Sequence, residues 1–182
     1  SKNTIGKWYK MLPVETIRGC PYLCAFCNSP DQISLYNRET ETSFFRKKKI
    51  QLIHKELKYF QENYGVEYNY FWADTFLSWN SQEFDEFCEM YSDIGLPFWM
   101  QTRPETITDY KLKKLAQIGL HRISFGIEHG NEGFRKKYLK REAKFSQTPR
   151  EAKFNHTPHR QLKWTGICWR AKIVFHPDDD DG

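Results

Sequence analysis

With 182 residues the chain has room for one modest domain and not for two large ones. A hydrophobic content of 39% with many aromatics suits a soluble globular protein, and no apolar run approaches the roughly 20 residues that cross a bilayer. The net charge of +5 is mild but uneven, since between Arg135 and Lys163 only Glu142 and Glu151 oppose the basic residues.

Up to about residue 140, strand-like and helix-like segments alternate. Val14 to Arg18 is a short strand candidate that delivers the cysteine-rich run RGCPYLCAFCNSP. Ser43 to Tyr64 reads as a helix, with Ile50, Ile53, Leu57 and Phe60 recurring every three or four residues and Gly65 as its C-terminal cap. The aromatic Glu67 to Ala73 suits a buried strand. Asn80 followed by Glu83 is a capping pattern for a helix in which Phe84, Phe87, Cys88 and Tyr91 share a face. Pro97 to Gln101 is a third strand. Thr106 with Asp109 opens a helix that carries Leu112, Leu115 and Ala116 and is closed by Gly119. His121 to Ile127 is a fourth strand, and Asn131 caps a helix with Phe134 and Tyr138.

Four βα units in sequence predict an α/β fold with a parallel sheet and right-handed crossovers. In barrels of this kind chemistry sits at the C-terminal strand ends. The informative polar residues fall there: the cysteine loop, then Asp74, then Gln101 to Arg103, then Glu128. After Arg141 the pattern stops. A nine-residue tandem repeat follows (REAKFSQTP at 141–149, REAKFNHTP at 150–158), then a Trp-rich stretch with a strand candidate at Ile173 to Phe175, then an acidic end at Asp178 to Asp181. The division expected is a core over 1–141 with an incomplete barrel and an exposed sheet edge, and a divergent tail over 142–182. The chain begins at Ser1 without a methionine, as a fragment or processed chain would.

Cys20, Cys24 and Cys27 are spaced Cys-x3-Cys-x2-Cys and offer three thiolates from one loop. Three protein ligands on a [4Fe–4S] cluster leave one iron open to a substrate or cofactor. Half of a zinc site is the competing reading, although structural zinc normally takes four ligands in paired spacings. Cys88 reads as core, Cys168 lies far away, and an odd cysteine count speaks against a disulfide framework. Free thiols point to a reducing compartment, the cytoplasm.

The loop VETIRGCPYLCAFC, with an aromatic before its last cysteine, resembles the cluster loop of the radical S-adenosylmethionine (SAM) superfamily, in the branch that often carries a cobalamin-binding domain upstream. The resemblance covers residues from about 12 to 141, the N-terminal part of that family's catalytic core. It implies a partial (β/α) TIM-like barrel, usually of six units, of which four are recognisable here. The family's glycine-rich fifth strand is missing. Cys20, Cys24 and Cys27 would ligate a [4Fe–4S] cluster whose open iron chelates SAM, and an electron from the reduced cluster would yield a 5′-deoxyadenosyl radical. Phe26 would pack beside the adenine, or serve ordinary loop packing. Asp74 would meet the methionine amine, or cap its own turn. Gln101 and Arg103 match SAM or substrate contacts, Glu128 a contact to the ribose or methionine portion, and Arg141 a carboxylate grip. No residue is singled out as catalytic in its own right.

Further implications are a small-molecule substrate, methylated or rearranged at an unactivated carbon, and an external electron donor such as flavodoxin or ferredoxin. Cobalamin enters through the resemblance only. The alternatives are a tRNA-modifying enzyme like the methylthiotransferases, with the basic stretch on the phosphate backbone, and a non-catalytic iron–sulfur or zinc module. Nucleic acid is the less favoured partner.

Overall fold

The computed structural model of this chain describes residues 2–4, 7–141 and 170–174. A hairpin of β1 (Lys2–Thr4) and β2 (Lys7–Tyr9) leads into β3 (Met11–Val14). β4 (Ile17–Arg18) follows, then helix α1 (Ser29–Glu39), β5 (Arg46–Lys47) and α2 (Ile50–Tyr64). β6 (Tyr68–Phe71), α3 (Ser81–Ser92), β7 (Phe98–Thr102), α4 (Asp109–Gln117), β8 (Leu120–Gly126) and α5 (Glu132–Leu139) complete the repeating part. β9 (Arg170–Val174) closes the described chain.

The main sheet has the order β3-β6-β7-β8-β9. Its first four strands are parallel, with helical crossovers leading into β6, β7 and β8, and β9 joins β8 antiparallel. The expected α/β sheet of four βα units is therefore present. β9 pairs along the outer side of β8, and supplies there the hydrogen bonds that the expected bare edge would lack.

Helices α2, α3 and α4 pack their apolar sides against the sheet. Phe71, Phe98, Met100, Ile123 and Phe125 point into a core with Ile53, Leu57, Phe84, Phe87, Tyr91, Leu112 and Leu115. Phe71 is its hub, with ring centroids of Phe76, Phe87, Tyr91 and Phe98 between 5.1 and 5.5 Å away. Each such fully buried ring contributes roughly 1.5–3 kcal/mol. Asn69 donates to the Tyr91 hydroxyl at 2.9 Å, and that hydroxyl donates to the Leu96 carbonyl at 3.0 Å, which keeps two buried polar groups paired.

Several boundaries differ from the sequence reading, each for a local reason. The predicted strand Val14 to Arg18 is two strands, because β4 leaves the main sheet to pair antiparallel with β5. That pairing also holds 46–47 extended, so the helix expected from Ser43 starts only at Ile50. Helix α1, unmarked by apolar periodicity, follows Asn28 with Pro30 in its first turn. Thr108, not Thr106, caps α4, since Pro104–Thr106 forms a 3-10 turn. Of the three residues noted on α4, Leu112 and Leu115 are buried and Ala116 is exposed. The capping box of Asn80 with Glu83, the left-handed Gly65 after α2 and the cap of Asn131 on Phe134 are as expected. The tandem repeat beyond Arg141, Cys168, Phe175 and the acidic end lie outside the described residues.

Candidate cluster and cofactor site

The site lies where the C-terminal ends of β3, β6, β7 and β8 meet. Gly19 opens the cysteine loop at φ 78°, and a Cβ there would stand 2.6 Å from the Phe44 carbonyl oxygen. Both the left-handed backbone and that close approach call for glycine. The turn is closed by the Cys27 amide donating to the Cys24 carbonyl at 3.2 Å. The Ala25 amide donates to the Leu139 carbonyl at 3.1 Å, which ties the loop to the end of α5.

Each thiol has a hydrogen-bonding neighbour. Cys20 Sγ lies 3.5 Å from Thr75 Oγ1, and burial pushes its pKa up against that bond. Cys24, also buried, accepts from Arg103 Nη1 at 2.9 Å. Cys27 is exposed and accepts from the Ser29 amide at 3.4 Å. All three are free. Among the described residues no three His, Cys, Asp or Glu side chains are gathered as a single metal ion requires. This donor set suits an iron–sulfur cluster, whose thiolates are commonly hydrogen-bonded by the protein.

Beside the loop, charged side chains are packed out of water. Arg103 and Arg141 are 6% and 5% exposed. Arg103 Nη2 donates to Glu105 Oε1 at 2.6 Å. Burial alone would lower its pKa, but the bond to Glu105 and the charges of Glu105 and Cys24 raise it overall. Arg141 Nη2 donates to the Gly126 carbonyl at 2.5 Å, and its guanidinium stands 4.0 Å from both Glu105 and Glu128. Arg103 Nε, Glu105 Oε2 and Arg141 Nε are buried without a hydrogen-bond partner. Three orphaned polar atoms in one place are what a polar, zwitterionic ligand would satisfy.

The remaining predicted residues are set around this centre. Asp74 is exposed at the end of β6, yet surrounding protein raises its pKa, with Glu15 adding negative charge. Gln101 donates to the Tyr70 hydroxyl. Glu128 sits at φ 68°, rare for a residue with a side chain. Phe26 is half-exposed on the loop. The structure thus brings Arg103 to Cys24 and Arg141 to Glu128, while Phe26, Asp74 and Gln101 flank them without a shared hydrogen bond. Tyr22, Thr75 and Glu105 went unnoticed in the sequence. Glu105 was within reach of a local argument, since it follows Arg103 by two residues in the turn after a strand.

A sheet with four parallel strands and three free thiols on the loop after β4 defines a class of cofactor-binding α/β proteins. The chain belongs to the radical SAM superfamily, whose family model matches residues 14–150. An uncharacterized methyltransferase of Pyrococcus horikoshii, PH0819, is 26% identical over 116 residues, 63% of this chain and 24% of that protein. The bacteriochlorophyllide d C-12(1)-methyltransferase of Chlorobaculum tepidum is 24% identical over 136 residues, 74% of this chain and 28% of that enzyme. The fold is similar to that of the radical SAM methyltransferase TsrM of Kitasatospora setae, with a TM-score of 0.56 and 13% identity. Solved with tryptophan substrate and a SAM analogue, that structure matches 69% of this chain and 23% of its own. Solved with cobalamin and a [4Fe–4S] cluster, it matches 70% and 22%. The chain spans about a quarter of the length of the curated relatives it matches. Among the described residues no helix is long and apolar enough to cross a membrane.

Proposed function

We propose that this chain forms the core of a radical SAM methyltransferase in which Cys20, Cys24 and Cys27 ligate a [4Fe–4S] cluster. The observation that carries the reading is three free thiols on one loop at the C-terminal ends of a parallel sheet, in a chain of this family. One-electron reductive cleavage of SAM to a 5′-deoxyadenosyl radical is the chemistry that the cluster supplies when bound. The chain's own residues bind and orient. Asp74 offers a carboxylate to the methionine ammonium, Arg141 a cation to the methionine carboxylate, and Glu128 an acceptor to the ribose hydroxyls. Gln101 is held at the rim by Tyr70, and Phe26 supplies an aromatic face for the adenine.

Methylation is favoured over rearrangement because both relatives are named methyltransferases. Cobalamin as a further cofactor, a small-molecule substrate, an external electron donor and a cytoplasmic location belong to the same proposal. So does the division into a core over 1–141 and a tail over 142–182, with β9 as the part of the tail that joins the sheet.

The test is electron paramagnetic resonance of the anaerobically reconstituted, reduced protein with and without SAM. A [4Fe–4S] signal that shifts on adding SAM is expected. Full cluster loading in Cys24→Ala would sink the ligand assignment, and a signal indifferent to SAM would leave a cluster-binding module without the enzyme.

A further inference from the structure

Arg103 is held on three sides. Its backbone is extended at φ −96° and ψ 144°, the region to which the following Pro104 restricts it. Its carbonyl accepts from the Thr106 hydroxyl at 2.7 Å, which fixes the turn that launches the side chain. One guanidinium nitrogen donates to Cys24 Sγ at 2.9 Å and the other to Glu105 at 2.6 Å. The guanidinium carbon lies 3.7 Å from the Tyr22 ring centroid. Tyr22 and Cys24 belong to the same loop, so one planar cation grips that loop at a sulfur and at a ring. With both terminal nitrogens engaged, its geometry is that of a group acting on the thiolate.

We propose that Arg103 is a positioning residue that acts through Cys24, fixing this thiolate and raising the reduction potential of the cluster it ligates. This rests on the reading of Cys20, Cys24 and Cys27 as cluster ligands. A cluster that accepts one electron from the external donor gains one negative charge, next to a buried cation that stays protonated. At low effective dielectric that charge is stabilised more strongly than it would be in water. Hydrogen bonds to cluster sulfurs and local charge are established levers on potential. Glu105 tempers the effect by sharing the guanidinium, and Arg141, 4.0 Å from Glu105, offsets part of that carboxylate's charge.

The test is a redox titration, followed by electron paramagnetic resonance, of the reconstituted wild type and of Arg103→Lys, Arg103→Gln and Arg103→Met. Gln and Met variants should disfavour the reduced cluster at least tenfold, a drop of about 59 mV for a one-electron couple. The lysine variant, which keeps the charge, should lie closer to the wild type. A loaded methionine variant at the wild-type potential would overturn the proposal, as would a lysine variant no better than the glutamine one. If the neutral variants fail to load while the lysine variant loads, the positioning role stands. Equal failure of all three variants with native circular dichroism would assign Arg103 to forming the loop and overturn it. A wild type that takes up no cluster removes the ligand reading itself, whereas a loaded cluster with unmoved potential removes this inference alone.

Discussion

Glu128 turns its carboxylate back over Gly126, so that a Cβ at Gly126 would stand 2.0 Å from Glu128 Oε1. The fold accepts a positive φ at Glu128, which costs roughly 1–2 kcal/mol for a residue with a Cβ. Gly126 in turn presents its carbonyl to Arg141. Backbone strain of this kind concentrates at ligand sites, where the surrounding structure holds it in place.

Replacing Gly126 by alanine would push on the end of a flexible side chain rather than on backbone. Gly126→Ala should therefore change unfolding free energy by under about 1 kcal/mol. SAM affinity, measured by calorimetry on the reconstituted protein, should fall tenfold or more as Glu128 is displaced. Wild-type affinity in this variant would separate Glu128 from SAM binding. Glu128→Gly should lose SAM affinity as well while relieving the strained φ.

The two buried cysteines with raised pKa values should behave differently. Cys88 packs in the core on α3, and burial pushes its thiol up to about 11. Cys88→Ala should cost about 1 kcal/mol and leave iron content unchanged. Cys20→Ala should lose the cluster. Iron and sulfide analysis after reconstitution decides the matter, and loss of iron in Cys88→Ala would redraw the ligand set.

Asn80 and Glu83 bond reciprocally at the start of α3. Asn80→Ala should cost about 1 kcal/mol in urea denaturation. Burial acts to raise the Glu83 pKa, but its bond to Lys47 and the Asn80 amide outweigh burial and lower it below the ordinary 4.5. A carboxylate depressed in the folded state contributes stability above its unfolded pKa and loses it as pH falls through the folded one. Glu83→Gln should remove that acid-side loss, seen as a flatter stability profile below about pH 4.5. An unchanged profile would show that the salt bridge to Lys47 adds nothing in solution.

Asp74 carries the opposite sign. Although its side chain reaches solvent, partial desolvation by the surrounding protein, with the charge of Glu15 behind it, raises its pKa above the ordinary 3.8. Its ionisation therefore lowers stability as pH rises from the unfolded through the folded pKa. Asp74→Asn should be more stable than the wild type at neutral pH and no more stable at pH values where both carboxyls are protonated. SAM affinity should rise with pH through this same window in the wild type and stay flat in Asp74→Asn. A pH-independent wild type would remove Asp74 from the site.

What the sequence by itself determined is local. Helices α2 and α3 were legible because apolar residues recur at the helical period, and the box of Asn80 with Glu83 spans only four residues. The three thiols were legible because one loop carries them. Tertiary structure decided what joins distant segments. Arg103 meets Cys24 across 79 positions, and Cys20 meets Thr75 across 55. No local pattern encodes that a guanidinium after β7 will close on a sulfur in the loop after β4, since the contact depends on where the parallel sheet sets β7 and on where the separate β4–β5 pair sets the cysteine loop. The same holds for α2, whose start was delayed when β4 left the main sheet to pair with β5. Periodicity reports what a segment does with its own backbone, whereas pairing between strands and the sharing of buried charge depend on which other segments arrive beside it.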